Sequence, residues 1–421
     1  MKRISLFLLF VLLAGLQKIP LSWAEPQTQN LTLADCYALA LKRSEQIAIR
    51  QELITEAEGR FSQALSGILP RVSFSSSDKR QDGSGDSQFT LRKVPERKFV
   101  FNQPLFAGFK EFSAMAAEKA EGRQRVLEKK RAEQLLFLNV SDAYYLLLEK
   151  REDLRILQSV QKTLSGRLQE LQQRERVGRS RTSEVVGTEA EILRTEAEEE
   201  LVRGEETVSR QLLEFLIGRD LSEALEEPKP SLPHMDSDQT YLAKSPQRPD
   251  VQASKEAALA AEKQVAVAKA GYLPTVNAEG NYYVERVGAS KDVTWDVALK
   301  VAVPLFSGGQ TKGAVKEASS QAAQAALRAS EAGRTATREV KEAYAKLQSA
   351  LARSNALARA LEASEESYRL LAEEYRRSLI NNLEVLRSLS DLEDAHREFV
   401  HSQYDTQRSY WNLKVSAGDL P

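Results

Sequence analysis

The chain repeats itself at one spacing, and that duplication limits its fold more than any other feature. Pro104-Leu105-Phe106-Ala107-Gly108 returns as Pro304-Leu305-Phe306-Ser307-Gly308. Ala143-Tyr144 returns as Ala343-Tyr344, Glu184-Val185 as Glu384-Val385, and Gly218 as Gly418, each 200 residues on. Leu69-Pro70 returns as Leu273-Pro274 with a further four-residue slip that a loop absorbs. A collinear series of matches is the signature of a duplicated structural unit.

Each copy reads as helix, two strands, a very long helix and a return helix. The first repeat spans 25–218, a proline-rich linker spans 219–247, and the second repeat spans 248–421. Copy one opens with a helical stripe through Leu33, Ala40, Ile47, Ile54, Phe61 and Leu65, and Leu69-Pro70 ends it. Copy two opens at Arg248-Pro249-Asp250. Between them Pro228, Pro230, Pro233 and Pro246 exclude a regular helix. Val293, Trp295, Val297, Leu299, Val301 and Val303 alternate with Thr294, Asp296, Ala298, Lys300 and Ala302. Such period-2 alternation over about eleven residues has the length of a tilted membrane-spanning strand. The strands are expected at about 71–79, 88–103, 275–285 and 292–303, with Lys93 and Arg97 interrupting the apolar face of the second. Polar tips join each pair, at Asp82-Gly83-Ser84-Gly85-Asp86 and at Gly288-Ala289-Ser290-Lys291-Asp292. No proline falls between Leu105 and Glu175, enough for a rod of roughly 105 Å. In the matching rod, Val315, Ala318, Ala322, Ala325, Ala329, Ala332 and Ala336 lead an alanine-rich coiled-coil seam. The rods turn near Val177-Gly178-Arg179-Ser180 and Arg377-Ser378-Leu379-Ile380, and the return helices stop at Gly218 and Gly418.

Lys2 and Arg3 precede an apolar run from Ile4 to Leu16, and Ser22-Trp23-Ala24 follows. This reads as a signal peptide over 1–24 and an exported mature chain. Lys plus Arg is 59 and Asp plus Glu is 60, which argues against a nucleic-acid partner. Cys36, the single cysteine, excludes a disulfide framework and reads as a residue of an apolar helix face. Mean hydropathy of −0.42 excludes a polytopic helical membrane protein and leaves a β-barrel open. No catalytic, cofactor-binding or metal-binding constellation stands out, so an enzyme is not expected. His396 and His401 are five apart, off helical metal spacing, and read as polar helix surface. Gly308-Gly309-Gln310-Thr311-Lys312-Gly313 lacks the phosphate-loop order and reads as a turn into a helix.

Four strands cannot close a barrel, and an open edge cannot sit in lipid. Strands must therefore come from several chains, and three would supply twelve. The duplicated unit, the two Pro-Leu-Phe-x-Gly motifs and Arg248-Pro249-Asp250 together resemble the TolC-type outer-membrane efflux family from about Leu31 to Gly418. The resemblance implies an α+β membrane protein, a homotrimer whose twelve-stranded β-barrel continues into a long α-helical periplasmic tunnel. It also implies a passive channel of a tripartite efflux or secretion system in a Gram-negative-type outer membrane. Its partners would be outer-membrane lipid, a periplasmic adaptor (membrane fusion) protein and an inner-membrane pump of resistance-nodulation-division or ABC type. A type I protein secretion duct and a non-channel exported coiled-coil spacer are the alternatives, and strands of membrane-spanning length speak against the spacer.

Three groups of residues are candidates for function. Val293, Trp295, Val297, Leu299 and Val301 would face lipid, and Trp295, Tyr282 and Tyr283 could form an interfacial girdle or simply pack. The family's adaptor contact resembles Val-Gly-Leu at the helix turns. Here the turns carry Arg176, Val177, Gly178, Arg179 and Arg181, and Arg377, Ser378 and Leu379. The crowded arginines read either as a solvated turn or as a docking surface. Glu184 and Glu384 could supply a ring of carboxylates at a gate, with Glu384 at the position of a family constriction aspartate. Arg387, where a second family acid would fall, could pair with Glu384 in the closed state, or both glutamates could be solvated.

Overall fold

A computed structural model describes residues 30–82, 91–221, 223–227 and 235–419. The expected signal peptide, most of the first hairpin tip and three of the linker prolines lie outside the described residues. The element order is α1 (Leu33–Arg43), α2 (Glu45–Ser66), β1 (Arg71–Arg80), β2 (Lys93–Ala107), α3 (Lys110–Arg176) and α4 (Thr182–Ile217). It continues with α5 (Asp238–Lys244), α6 (Pro249–Lys269), β3 (Thr275–Arg286), β4 (Trp295–Ala302), α7 (Gln310–Arg376) and α8 (Asn382–Ala417). The duplication is kept in length: α3 and α7 have 67 residues each, and α4 and α8 have 36. At 1.5 Å per residue each long rod is about 100 Å. Among the described residues, no helix is long and apolar enough to cross a membrane.

Local chemistry moves three boundaries from where the pattern put them. The opening helix is two helices, because Ser44 leaves helical geometry (φ −64°, ψ 112°) and its hydroxyl accepts from the Ile47 amide as the cap of α2. The linker is not free of helix: α5 fits between Pro233 and Pro246. The first Pro-Leu-Phe-x-Gly motif does not open α3 but closes β2, with Pro104 opposite Asn277 at a register shift that frees it from donating. The chain then turns through Gly108 (φ 64°) and Phe109 (φ 60°). A side chain at Gly108 would meet Leu273 Cβ at 2.8 Å and the Ala270 carbonyl at 2.9 Å, so only glycine allows this approach. In copy two, β4 stops at Ala302 and leaves Leu305 and Phe306 fully exposed.

The four strands form one antiparallel sheet in the order β1-β2-β3-β4. One face carries Val72, Phe74, Phe99, Phe101, Tyr282, Trp295, Val297, Leu299 and Val301, all exposed. The other carries Ser73, Ser75, Asn277, Glu279, Asn281, Asp296 and Lys300, in a polar net that includes Lys300 to Glu279 at 2.5 Å and Tyr283 to Asp296 at 2.8 Å. Both β1 and β4 are open edges. Helices follow the same order beside the sheet: α2 packs on α3, α3 on α6, and α6 on α7. Further away α4 packs on α3, α3 on α8, and α8 on α7. Of the predicted alanine seam of α7, Ala318 and Ala336 are buried and Ala322, Ala325, Ala329 and Ala332 are half-buried; the buried face continues through Val340, Ala343 and Leu347.

Near the C-terminus of α8, Arg248 is the largest fully buried side chain. It bonds Asp250 at 2.5 and 2.9 Å, Glu339 of α7 at 2.7 Å and the Ser416 carbonyl at 3.2 Å. Arg131 of α3 adds a bond to the Val415 carbonyl at 3.0 Å. Two guanidinium groups thus meet the negative end of α8 and tie copy two to copy one. Arg248→Met is expected to destabilise the helical part by about 2 kcal/mol, less than for a fully enclosed pair because Asp250 and Glu339 are a third exposed and can rehydrate. Thermal unfolding in mild detergent checks this; an unchanged midpoint would contradict the clamp.

Candidate functional site at the paired helix turns

The two turns repeat each other in backbone geometry. Arg179 N bonds the Arg174 carbonyl at 2.8 Å, and Leu379 N bonds the Glu374 carbonyl at 3.0 Å. Each turn passes through the left-handed region, at Gly178 (φ 73°) and at Ser378 (φ 61°). Serine there costs on the order of 1 kcal/mol relative to glycine. Beneath the turns Leu171, Val185, Tyr375 and Val385 form one apolar cluster that holds the two hairpins side by side.

The candidate docking residues lie on the outer surface of this pair. Val177 and Leu379 are each 68% exposed, and Arg176, Arg179, Arg181 and Arg377 are exposed. Arg377 reaches Glu373 only at 3.9 Å. Arg176, Arg179 and Arg181 have no ion-pair partner among the described residues. By contrast, Arg174 bonds Glu170 at 2.7 Å and stacks over Tyr375.

The two gate candidates are unequal. Glu184 is half-buried and its carboxylate is used up by capping: it accepts from the Ser180 hydroxyl at 2.6 Å, the Arg181 amide at 3.1 Å and, across the turns, the Asn382 amide at 3.5 Å. Burial pushes its carboxyl up, but these donors outweigh it and hold the group below the ordinary glutamate value. Glu384 is exposed and among the described residues bonds only Asn381, which caps α8. The expected Glu384–Arg387 pair does not form within the chain: among the described residues Arg387 is exposed and makes no ion pair. Asn382 is the residue that the pattern missed. It is buried, accepts from Arg167 Nε at 2.6 Å and donates to Thr188 Oγ1 at 3.1 Å. Arg167 also lies 4.2 Å from the Tyr375 ring, and burial lowers its basicity. Asn382 thus joins α3, α4 and α8 at the turns. Its place directly after the helix cap Asn381 was the only sequence signal for it.

His401 is not polar helix surface. It sits between α8 and α3 with its Nε2 2.9 Å from both oxygens of Asp153, which is fully buried. Lys150, Arg397 and Glu149 border the pair, and Glu198, Glu205 and Arg408 lie next beyond them. The Asp153 hydrogen bond raises the His401 pKa above its ordinary value, against the opposing effect of burial. Burial pushes Asp153 up, but the His401 bond and the nearby cations outweigh it and the net direction is down. The histidine contribution is complete below about pH 6.5 and fades as pH rises through the raised value. The aspartate contribution is lost only when acid titrates its lowered carboxyl. Thermal stability is therefore expected to decline from pH 6 to 8.5 more in the wild type than in His401→Gln. Parallel pH profiles would rule the pair out as the cause.

At the sheet, Trp295, Val297, Leu299 and Val301 lie on the apolar face, and Val293 just precedes β4. Phe74, Phe99, Tyr282 and Trp295 pair in register, one aromatic from each strand. Tyr283 leaves this row, because its hydroxyl donates to Asp296 on the polar face. Among the described residues, no group of three or more acidic, histidine or cysteine side chains could hold a metal ion.

Compared with known proteins, residues 36–219 and 245–419 match the family described as "Outer membrane efflux protein". The chain is 21% identical over 332 residues to the outer membrane protein TolC of Vibrio cholerae, covering 76% of each. It is 24% identical over 421 residues to the alkaline protease secretion protein AprF of Pseudomonas aeruginosa, covering 93% of this chain and 85% of AprF. The outer membrane protein VceC from Vibrio cholerae shares the fold, with a TM-score of 0.80 at 18% identity over 92% of this chain and 96% of VceC.

Proposed function

Because the chain belongs to the outer membrane efflux protein family, a family of outer-membrane transport channels, we propose that three copies close into a twelve-stranded barrel that continues as a tunnel of helices into the periplasm. One observation carries this reading. The sheet is apolar on one face and polar on the other, and both of its edges, β1 and β4, are open. Lipid offers no partner for an edge strand, so the edges must pair with those of other copies. The helices need the same partners. Along α4, Val186, Leu193, Leu201, Val208 and Phe215 form an exposed apolar seam at near-heptad spacing.

In the trimer the polar sheet face lines the pore and the apolar face meets lipid. Cargo passes without chemistry by this chain, and the energy comes from an inner-membrane pump linked through a periplasmic adaptor. The adaptor docks on the exposed arginine-bearing turns. Export of protein cargo is the second reading, favoured by AprF, a protease secretion protein that aligns over more of this chain than TolC of Vibrio cholerae does.

Outer-membrane extracts are expected to yield a trimer in mild detergent that falls to monomer on heating. A monodisperse monomer, or recovery in the soluble fraction, would sink the proposal.

A further inference from the structure

The two hairpins of the sheet share one register, residue for residue. Phe106 corresponds to Phe306, 200 residues on, and Leu69 to Leu273, 204 on. With these offsets Val72 opposite Phe101 becomes Val276 opposite Val301, and Phe74 opposite Phe99 becomes Ala278 opposite Leu299, which are the pairs that β3 and β4 make.

Between the hairpins lies a junction that one chain makes only once. The end of the first repeat, β2 and α3, packs on the start of the second, β3 and α6. Among the described residues, nothing takes the corresponding place beside β4 and α7, or before β1 and α2. Helix α6 lies between two long rods, α3 and α7, whereas α2 packs on the single rod α3. Accordingly Ala253 of α6 is buried, and its counterpart Ile49 of α2 is exposed.

Gly108 and Gly308 show what is missing. Both are left-handed, at φ 64° and φ 60°. Gly108 is buried, and a side chain there would strike Leu273 and the Ala270 carbonyl at the start of the second repeat. Gly308 is exposed, and a side chain there would meet nothing within 4 Å. Phe106, opposite Val276, is half-buried, whereas Phe306 is fully exposed. The second repeat keeps the backbone of a tight crossing and lacks the segment that it would cross.

We propose that β4 of one chain takes β1 of a neighbouring chain in the register that β2 takes with β3. The junction rests on the barrel reading and adds to it the residues that meet. Carried over from the internal junction, Phe306 lies opposite Val72 of the neighbouring chain, Val303 opposite its Phe74, Ala302 opposite its Ser75 and Lys300 opposite its Ser77. The strands run antiparallel, as the order of the sheet requires, and residues of each face stay on their own face. Sliding the junction by two residues in one direction would set Lys300 against Lys79, two cations face to face. Gly308 comes against Leu69 and the Ser66 carbonyl of the neighbouring chain, the counterparts of Leu273 and the Ala270 carbonyl, and α7 lies along α2 of that chain. The contact is head-to-tail, so it closes as a ring.

The test pairs cysteines across the junction in the full-length protein in outer-membrane vesicles. Copper phenanthroline is the oxidant, and covalent dimer and trimer are read after heating without reductant. Ala302→Cys with Ser75→Cys is the in-register pair. Ala302→Cys with Ser73→Cys, or with Ser77→Cys, is displaced by about 7 Å along the strand, too far for a disulfide. Native Cys36 is fully buried and gives the background. The in-register pair is expected to cross-link about tenfold faster than either displaced pair. Faster cross-linking of a displaced pair, or an intact trimer in which none of the three pairs cross-links, would overturn the register and leave the barrel standing. Absence of a trimer in the wild type would sink the barrel reading, and the junction with it. A second measurement needs no cysteine. Gly308→Ala is expected to lower the recovered trimer about fivefold, because the added methyl meets the neighbouring chain. Gly309→Ala is the control: Gly309 is also left-handed (φ 88°), but its counterpart Phe109 carries a side chain at φ 60°, so trimer recovery is expected to hold. Equal loss in the two variants would reduce Gly308 to backbone strain and overturn the contact.

Discussion

Export is expected to fall at least a hundredfold when Arg176, Arg179 and Arg181 are all replaced by glutamate, with trimer and barrel intact. The three guanidinium groups are exposed and, among the described residues, free of ion-pair partners at the turn between α3 and α4. Most arginines along the rods are paired with acids, either one turn away, as Arg203 is with Glu199 and Arg369 with Glu366, or on a neighbouring helix, as Arg151 is with Glu206. Charges left unpaired at a tip are available to a partner. Reversal turns attraction into repulsion at every docking hairpin, which weakens complementary interfaces by several kcal/mol and slows association. The fold itself has little at stake. Glutamate at 176 opposes the α3 dipole, and glutamate at 179 and 181 favours the start of α4, each by about 0.3–1 kcal/mol. Replacing the same residues by lysine keeps the charge and is expected to preserve most export. Secretion or drug-efflux assays in cells lacking the native chain read the outcome. Normal export by the glutamate variant would make the arginines an ordinary solvated turn.

The second large effect is expected at Asn382. Asn382→Leu keeps the size of the side chain but strands Arg167 Nε, which donates to Asn382 at 2.6 Å, and removes the 3.1 Å donor to Thr188 Oγ1, whose hydroxyl keeps its bond to the Glu184 carbonyl. Leaving buried polar groups unpaired costs about 1–3 kcal/mol each, more where one is charged. A loss of about 3 kcal/mol in the arrangement that holds the two hairpins together shifts its equilibrium by roughly two orders of magnitude. In planar bilayers the variant is expected to conduct far more in its resting state than wild type. Glu384→Gln is the contrast. That carboxylate is exposed and among the described residues bonds only its own helix cap, so the change is expected to be within about 0.5 kcal/mol and to leave resting conductance alone. A tight Asn382→Leu channel alongside a leaky Glu384→Gln channel would move the gate away from the clamp and back to the carboxylates.

Much of this architecture is written in periodicity. Apolar spacing of three and four names the face of α7, spacing of two names the face of β4, and the lack of proline names the length of α3. Prolines mark the linker, and the 200-residue offset states that the whole arrangement occurs twice. These signals are local: each reports which side of one element avoids water, and each holds whatever the neighbouring element is. The family resemblance rests on the same features. Tertiary structure alone decided which polar groups meet. Arg167 finds Asn382 across 215 residues of sequence, and Asp153 finds His401 across 248. Neither pair has a pattern to betray it, since polar residues on a helix flank look alike whether solvated or clamped. Their meeting depends on the relative register of two rods, where sliding by one residue shifts a side chain 1.5 Å along the axis and about 100° around it. The same holds for the sheet, where the in-register row from Phe74 to Trp295 exists only because strand pairing sets four separate aromatics at one height. Sequence fixes the faces of the elements through hydrophobicity; packing fixes their register, and register selects the residues that clamp and dock.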